Sequence, residues 1–558
     1  LAVYIVTGRM VTAQGNRSKY IVKNDSGNTS YMTSYQIKNL IASGNTFYGV
    51  EIKNGRLYTT EKVMLVQSTG TRQPNRYRDY EVYSDKQIIE TVKETIKEGY
   101  RPRDYVKEII NYCKRTPEYN RNNILILHGI RRTGKTVSIY HSIAILLKMG
   151  VKPSEILFIT VYNRDTSYRE VEDIIVHTNK KYIFVDEITF LENFINYASS
   201  LHGHFSAFMR DKRMIIAGTD SFAFPKALQS SLYDRAYVIH TTYIPYKEIK
   251  KLGLIVNNQP DWYIKHGGNL VYQEFDGIRQ SNDTMRIVII KNIIDTINRN
   301  NQYFDYDSRY NELKSMTYNE MQYLILYSIS RIVRPENSNS IKYTKAPTDR
   351  VKQLLTKIGD TTFDLEDFRV LKDSQVRIMD ASLAELDILK IVGNLVDEYN
   401  ENEGIQKDTR NECICTIQAL AYSVLNVILG KHISDLNGNT LENLVLSECY
   451  MHYQLNWQSG IEVGYAKYTY NNKKHEIDCV VSKQFDNGEY HFILIEVKYS
   501  DKPRQDFKEH ITDDSVELAL EGIVDKRYIV YRGKTQKQDN IKYINIYDFL
   551  ENLDKYLY

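Results

Sequence analysis

The octet Gly129-Ile130-Arg131-Arg132-Thr133-Gly134-Lys135-Thr136 follows the apolar run Ile124 to Leu127 and opens a helical pattern that reaches Met149 and stops at Gly150. It satisfies G-x-x-x-x-G-K-[ST] in the setting that pattern needs, a strand before it and a helix after it. Such a loop wraps phosphate oxygens in backbone N–H groups, and its glycines let the backbone come close. The candidate ATP-binding residues are therefore Gly129, Arg131, Arg132, Thr133, Gly134, Lys135, Thr136 and Val137. Lys135 suits the β- and γ-phosphates and Thr136 suits Mg²⁺. Further on, the apolar run Tyr182-Ile183-Phe184-Val185 ends in two adjacent acids, Asp186 and Glu187. At a strand's C-terminal end, Asp186 suits a Mg²⁺ ligand acting through water, and Glu187 a base that orients and deprotonates an attacking water. A third apolar run, Met214 to Ala217, leads into Gly218-Thr219-Asp220-Ser221, where Thr219 is the candidate γ-phosphate sensor.

A second group of charges stands near the other end of the chain. His475-Glu476-Ile477-Asp478-Cys479-Val480-Val481 and Ile493-Leu494-Ile495-Glu496-Val497-Lys498 are two apolar runs, and the period of two puts Glu496 and Lys498 on one strand face. If the runs pair as neighbours, Asp478 joins them. Two carboxylates and an ammonium grouped this way bind a divalent metal and stabilise a pentavalent phosphate. The order D…E-x-K is similar to the PD-(D/E)XK nuclease core, with Glu442 on the preceding helix as a fourth candidate. Apolar flanks make an unpaired charge expensive here, which favours a functional or fully satisfied cluster. Three outcomes stay open: metal-dependent cleavage, a nuclease fold that binds DNA or a partner without cutting, or a coincidence of charges, since E-x-K alone is common on solvent-facing strands.

These residues need elements to hold them. The pattern from about residue 100 to 245 alternates strand and helix, which predicts a parallel α/β sheet. Helical periodicity precedes it from Lys86 to Lys114, and Gln67 to Tyr80 reads as a linker. Residues 1–66 predict a small ββαββ-type module with a helix from Ser34 to Ile41 and a type I′ hairpin at Asn54-Gly55. Residues 246–440 read as mostly helical, a lid and winged-helix-like region broken at Pro335 to Lys345, and 441–558 as a second α/β domain. The expected division is 1–66, 67–99, 100–245, 246–440 and 441–558.

At 558 residues, with 42% apolar and 26% charged residues, the chain is a folded multidomain protein, neither disordered nor fibrous. Its longest apolar stretches, such as Ile287 to Ile290, fall far short of a membrane span, and no leader pattern opens it, so the expected location is cytoplasmic. Five scattered cysteines do not make a disulfide framework, and Cys413 and Cys415 lack a second metal-ligand pair, so reduced thiols and no structural zinc are expected. Tyrosine is abundant together with Asn, Ile and Lys, which points to AT-rich codons rather than a binding surface. Net charge is +3, but residues 1–80 alone carry +7, so the N-terminal module is a candidate nucleic-acid contact.

The runs GIRRTGKT, YIFVDEITFLENF, MIIAGTDS, DRAYVIHTTYIPYKEI and YIKHGGN occur in that order. The chain in this respect resembles the prokaryotic AAA-type ATPases with a G-x-R-R-x-G-K-T loop, over about residues 100 to 535. That resemblance implies a P-loop NTPase sheet, a winged helix and a C-terminal restriction-endonuclease-like domain. It also implies that Arg235 sits where the family has a Gly-Arg pair before the next strand, as an arginine finger or as a structural arginine, and that Pro245 begins the family's Pro-x-[ST]-[FY]-x-E segment. Asp234 stands where the family has Gly, and Asn269 follows Gly267-Gly268 where the family has Phe-Pro. The expected function is Mg²⁺-dependent ATP hydrolysis that controls nucleic-acid binding or cleavage by the C-terminal domain. The alternative is a slow ATP-dependent switch acting through a protein partner, or in a homo-oligomer, with the nuclease-like fold as a docking module.

Overall fold

The computed structural model describes residues 3–11, 18–24, 29–43, 46–48, 50–53, 56–59, 64–67, 79–115, 124–163, 166–192, 194, 203, 211–219, 224, 232, 235–253, 260–268, 270, 289–295, 297, 313, 316–333, 373–397, 404–408, 412–429, 438–456, 460–538 and 540–558. They fall into two units, Leu1–Arg78 and Asp79–Tyr558.

The first unit contains β1 (Val3–Val11), β2 (Ser18–Asn24), β3 (Thr29–Thr33), α1 (Ser34–Ala42), β4 (Thr46–Tyr48), β5 (Val50–Lys53), β6 (Arg56–Thr59) and β7 (Met64–Gln67). The main sheet runs β3-β2-β1-β4, and β7 also pairs with β1. Tyr20, Val22 and Ile37 form its core. Three strands precede the helix where two were expected, because the basic stretch before Ser34 folds back twice instead of once. β5 and β6 pair with Lys53 opposite Arg56, a register that leaves the two-residue connection the hairpin signal demands. Asn54 and Gly55 themselves, like most of the expected linker, lie outside the described residues.

The second unit opens with β8 (Tyr80–Val82), α2 (Asp85–Lys97), α3 (Val106–Lys114) and β9 (Ile124–His128). It continues through α4 (Lys135–Lys148), β10 (Ile156–Val161), α5 (Tyr168–His177), β11 (Tyr182–Asp186), β12 (Arg213–Gly218) and β13 (Ala236–His240). The sheet order is β13-β9-β12-β11-β10-β8, parallel except for β8. Ile124, Ile126, Ile183, Val185, Met214 and Ile216 point to one face, and Leu125, Leu127, Phe184, Ile215 and Ala217 to the other. Both faces are covered, which is why these strands read as unbroken apolar runs. One expectation is corrected here. The single helix from Lys86 to Lys114 is two helices, parted by Gly99 at φ +73 and by Pro102. The sheet also takes in β8, ahead of residue 100, because β8 pairs with β10.

Next come α6 (Tyr246–Lys251), α7 (Pro260–His266), α8 (Tyr318–Val333), α9 (Asp373–Glu385), β14 (Leu389–Val392), β15 (Ile405–Lys407), β16 (Glu412–Cys415) and α10 (Gln418–Leu429). The expected break at 335–345 lies outside the described residues. β14 pairs with β16, interrupting the helical pattern, and β15 joins the next sheet by pairing with β17.

The last part holds α11 (Gly438–Asn456), β17 (Ile461–Tyr470), β18 (Lys473–Gln484), β19 (Tyr490–Lys498), α12 (Glu509–Thr512), α13 (Ser515–Leu520) and β20 (Ile523–Tyr531). It closes with β21 (Gln536–Gln538), β22 (Ile541–Asn545), α14 (Ile546–Glu551) and α15 (Leu553–Tyr556). Its sheet runs β15-β17-β18-β19-β20-β22-β21, antiparallel through β17, β18 and β19, then parallel through β19, β20 and β22. Among the described residues, no helix is long and apolar enough to cross a membrane.

Candidate nucleotide site and the C-terminal carboxylates

The parallel register brings the strand ends of the first sheet to one edge. Gly218 lies opposite His128, and His128 opposite His240, so the loop after β9 sits among the turns that follow β12 and β13. The strand interposed between β9 and β11 is β12, which opens a crevice where the chain order reverses. The loop's conformation comes from its residue types and its floor. Arg132 and Gly134 both have left-handed φ, +63 and +86. Alternating hands of this kind turn successive N–H groups inward as an anion-binding nest. Gly129 lies so close to the floor that a Cβ would come within 2.3 Å of Thr241 Oγ1 and 2.7 Å of Thr242 N. Any larger residue would lift the loop off β13.

Within this edge the candidate side chains meet. Thr136 Oγ1 donates to Asp186 Oδ2 at 2.7 Å, joining residues fifty positions apart. Asp186 also accepts from the Glu187 N–H at 3.1 Å, and Thr219 Oγ1 donates to Glu187 Oε2 at 3.0 Å. Glu187 holds φ +54, a strained conformation for a residue with a side chain, of the sort found at functional sites. Lys135 Nζ donates to the carbonyls of Gly129 at 2.8 Å and Ile130 at 2.7 Å, so the ammonium lies along the loop. Burial lowers the Lys135 pKa to about 8, against the pull of Glu187 and Asp186. Burial, then the neighbouring Glu187, raises Asp186 to about 6. A carboxylate and a hydroxyl already sharing a hydrogen bond form an oxygen-ligand pair suited to Mg²⁺.

Other expected residues take different parts. Thr133 is fully buried, and its hydroxyl donates to the Ile130 carbonyl and bonds to Thr241 Oγ1, so only its backbone can serve a ligand. Arg131 lies 5.9 Å from the centre of the Phe190 ring, Arg132 is exposed, and Val137 is half-buried at the start of α4. Arg235 does not join them. It precedes β13, and its carbonyl accepts from the Ile124 N–H at 3.0 Å, at the other end of β9 from the loop. A five-residue strand at ~3.3 Å per residue keeps its backbone more than ~13 Å from the loop of its own chain.

The floor under the loop escaped the sequence reading. Arg103, 5% exposed, donates to the Thr133 carbonyl, to Glu248 Oε1 at 2.7 Å and to the Tyr243 carbonyl at 3.0 Å. The Ile130 N–H donates to Thr242 Oγ1 at 3.2 Å, and Thr242 Oγ1 donates to the Leu386 carbonyl at 2.9 Å. No spacing in the sequence ties Arg103 or Thr242 to Lys135.

In the second sheet, β18 and β19 pair with Cys479 opposite Ile495, which sets Asp478 beside Glu496. Asp478 Oδ2 accepts from the Val497 N–H at 2.7 Å, and Lys498 pairs with Glu496 Oε1. Glu496 is 2% exposed, and its Oε2 has no hydrogen-bond partner among the described residues. Burial raises the pKa of both carboxyls, and each is pushed further by a like charge, Asp478 by Glu496 and Glu496 by Glu442. Burial acts to lower Lys498, but Asp478 and Glu496 outweigh it and hold it above the ordinary lysine value. Glu442 on α11 acts on this group through its field. Among the described residues no three His, Cys, Asp or Glu side chains gather as a ready metal cage.

Residues 121–250 match a family model described as an AAA domain, and residues 437–549 match a domain of unknown function, DUF4143. No curated protein matches the chain. Among solved structures it is similar to the Saccharomyces cerevisiae Hsp104–ADP complex, at 15% identity over 53% of this chain and 43% of that one, TM-score 0.24. It is also similar to the extended S. cerevisiae Hsp104:casein complex, at 13% identity over 48% and 51%, TM-score 0.23. A third is the Thermotoga maritima RuvB Holliday junction branch migration motor, at 13% identity over 53% and 91%, TM-score 0.24. The chain spans about half the length of the yeast chains it matches. With its loop, acids and parallel sheet at one edge, the stretch 121–250 is an AAA-type P-loop domain.

Proposed function

We propose that this protein binds and hydrolyses ATP with Mg²⁺, and that its nucleotide state controls nucleic-acid binding or cleavage by the C-terminal domain. The observation that carries the first half is the Thr136–Asp186 hydrogen bond, which unites the loop with the acids on β11. Thr136 and Asp186 would hold Mg²⁺, which when bound neutralises charge building on the phosphate oxygens. Lys135 leaves its two loop carbonyls for the β- and γ-phosphate oxygens, an exchange of neutral acceptors for charged ones. Glu187 orients the attacking water and takes its proton, and the Thr219 hydroxyl holds that carboxylate in place. Steady-state phosphate release by the whole chain tests this. Lys135→Ala and Glu187→Gln should each abolish turnover, and normal turnover in both would sink the reading.

For the second half, the supporting observation is the partnerless Glu496 Oε2, a buried carboxylate oxygen that a divalent cation would satisfy. The order helix α11, strands β17, β18 and β19, helices α12 and α13, then the parallel strand β20 also supports a restriction-endonuclease-like domain. In this reading Asp478 and Glu496 hold the metal and Lys498 stabilises the phosphate during hydrolysis. We assign the winged-helix-like part to α8, α9 and the β14–β16 pair, and a nucleic-acid contact to the basic first unit. Wild type that cuts no DNA with Mg²⁺ or Mn²⁺, with or without ATP, would leave the alternative, a switch acting through a protein partner.

A further inference from the structure

We propose that Arg103 positions the phosphate-binding loop and, through Glu248 on α6, ties that loop mechanically to the C-terminal domain. The proposal rests on the ATP reading above and adds a residue and a route to it.

The first link is the Thr133–Gly134 peptide. Its carbonyl accepts from Arg103 Nη1. In a planar trans peptide the carbonyl and the next N–H point in opposite directions, so fixing the Thr133 oxygen outward turns the Gly134 N–H into the loop. Phosphate binding by such a loop depends on those inward N–H groups. The guanidinium also reaches the Tyr243 carbonyl at 3.0 Å and the Thr241 carbonyl at 3.4 Å, so one planar fork spans the loop and the turn beneath it. Its side chain lies against Gly134, where a Cβ would stand 3.5 Å from Arg103 Cγ.

The second link is the ion pair. Arg103 Nε and Glu248 Oε1 are 2.7 Å apart with both side chains 4% exposed, and the same oxygen accepts from the Asp104 N–H at 2.6 Å. Buried this deeply, neither partner can move alone without leaving an uncompensated charge.

The third link is the short helix that carries Glu248. At about 100° per residue, Glu248 and Lys250 leave α6 about 160° apart, on opposite sides of the helix, while Lys247 and Lys251 lie between them. The contacts follow that division. On one side Glu248 meets Arg103, and Lys251 pairs with Asp104 at 2.8 Å. On the other, the Tyr246 N–H donates to Glu448 Oε1 on α11 at 2.9 Å, Lys247 pairs with Asp554 at 3.1 Å, and Lys250 pairs with Glu551. A helix of six residues turns as one piece, so a shift of the loop felt by Glu248 is delivered to Glu448.

The test uses the full chain, a fluorescent ATP analogue with Mg²⁺, and amide exchange with and without nucleotide. Arg103→Lys keeps a positive charge opposite Glu248 but loses the fork, and Glu248→Gln keeps the shape but loses the charge. We expect Arg103→Lys to weaken nucleotide binding by about tenfold, with Glu248→Gln smaller in the same direction. Glu248→Gln leaves the buried Arg103 charge without its partner and should lower the melting temperature by several degrees, whereas Arg103→Lys keeps the charge and should lower it less; binding and exchange are read well below both melts. In wild type, nucleotide should change the protection of α6 and of α11 around Glu448, and both variants should lose that response. If Arg103→Lys does not fold, Glu248→Gln decides by the same criteria. Binding and exchange responses equal to wild type in a folded variant overturn the proposal, as does a wild type whose α6 and α11 ignore bound nucleotide. A wild type that binds no nucleotide overturns the ATP reading, and this proposal with it.

Discussion

The nucleotide-side acids, Asp186 at the end of β11 and Glu187 just after it, and the C-terminal acids, Asp478 within β18 and Glu496 near the end of β19, balance their charge differently. Asp186 and Glu187 each meet a donor from another strand or helix, the hydroxyls of Thr136 and Thr219. Glu496 meets Lys498 on its own strand with one oxygen, while its other oxygen meets nothing among the described residues. The first site has its acids satisfied by hydroxyls of its own fold. The second keeps a buried acceptor that has no partner among the described residues, which costs stability unless something binds there.

The largest effect expected from this contrast is on cleavage. On the nuclease reading proposed above, Glu496→Ala should lower metal-dependent DNA cutting by about 10² to 10³. A variant that cuts as wild type does would show that the partnerless oxygen plays no part.

A second prediction concerns pH and again opposes the two regions. Burial first lifts Glu448 beside the C-terminal sheet from 4.5 to about 7. Between those values the folded chain holds the extra proton, so this contribution to stability is complete below 4.5 and is lost as pH rises through about 7. Burial takes His128, just ahead of the loop, from 6.5 down to about 4. Its contribution runs the other way, present above 6.5 and lost as pH falls through about 4. Each amounts to roughly 3 kcal/mol, and the windows overlap, so they offset one another in the wild type. Chemical denaturation from pH 4.5 to 7 should show Glu448→Gln gaining stability with pH relative to wild type, whereas His128→Phe should lose it. Parallel profiles for all three proteins would contradict these titrations.

A smaller effect is expected at Thr219. Thr219→Ala removes one hydrogen bond to Glu187 and should slow ATP turnover about tenfold at unchanged ATP affinity, read from kcat and KM. A change in KM alone would move Thr219 from the water to the ground-state nucleotide. The smallest is Gly134→Ala. At φ +86 a Cβ costs about 1 kcal/mol, which a thermal melt should register as a shift of a few degrees at most.

Much of the nucleotide site was legible because its chemistry is local. The glycines, Lys135 and Thr136 sit within one loop, and the loop's flanking strand and helix are continuous apolar patterns. The same holds for β18 and β19, whose period of two set Glu496 and Lys498 together before any pairing was known. Where Arg235 stands could not be read from its place before a strand, since adjacency to a strand does not say which end of the sheet that strand presents. Strand β8 was missed because its three residues, Tyr80 to Val82, look like the end of a linker until β10 supplies their partner.

The amino-acid order alone thus determined which short segments can wrap phosphate or gather charge, since those depend on spacings of one to eight residues. Only the tertiary structure decided that β12 lies between the loop strand and the acids, that Thr136 meets Asp186, and that Arg103 reaches Thr133 and Glu248 at once. Those meetings join residues from 30 to 145 positions apart, and what selects them is the packing of buried faces and the need of each buried charge for a partner.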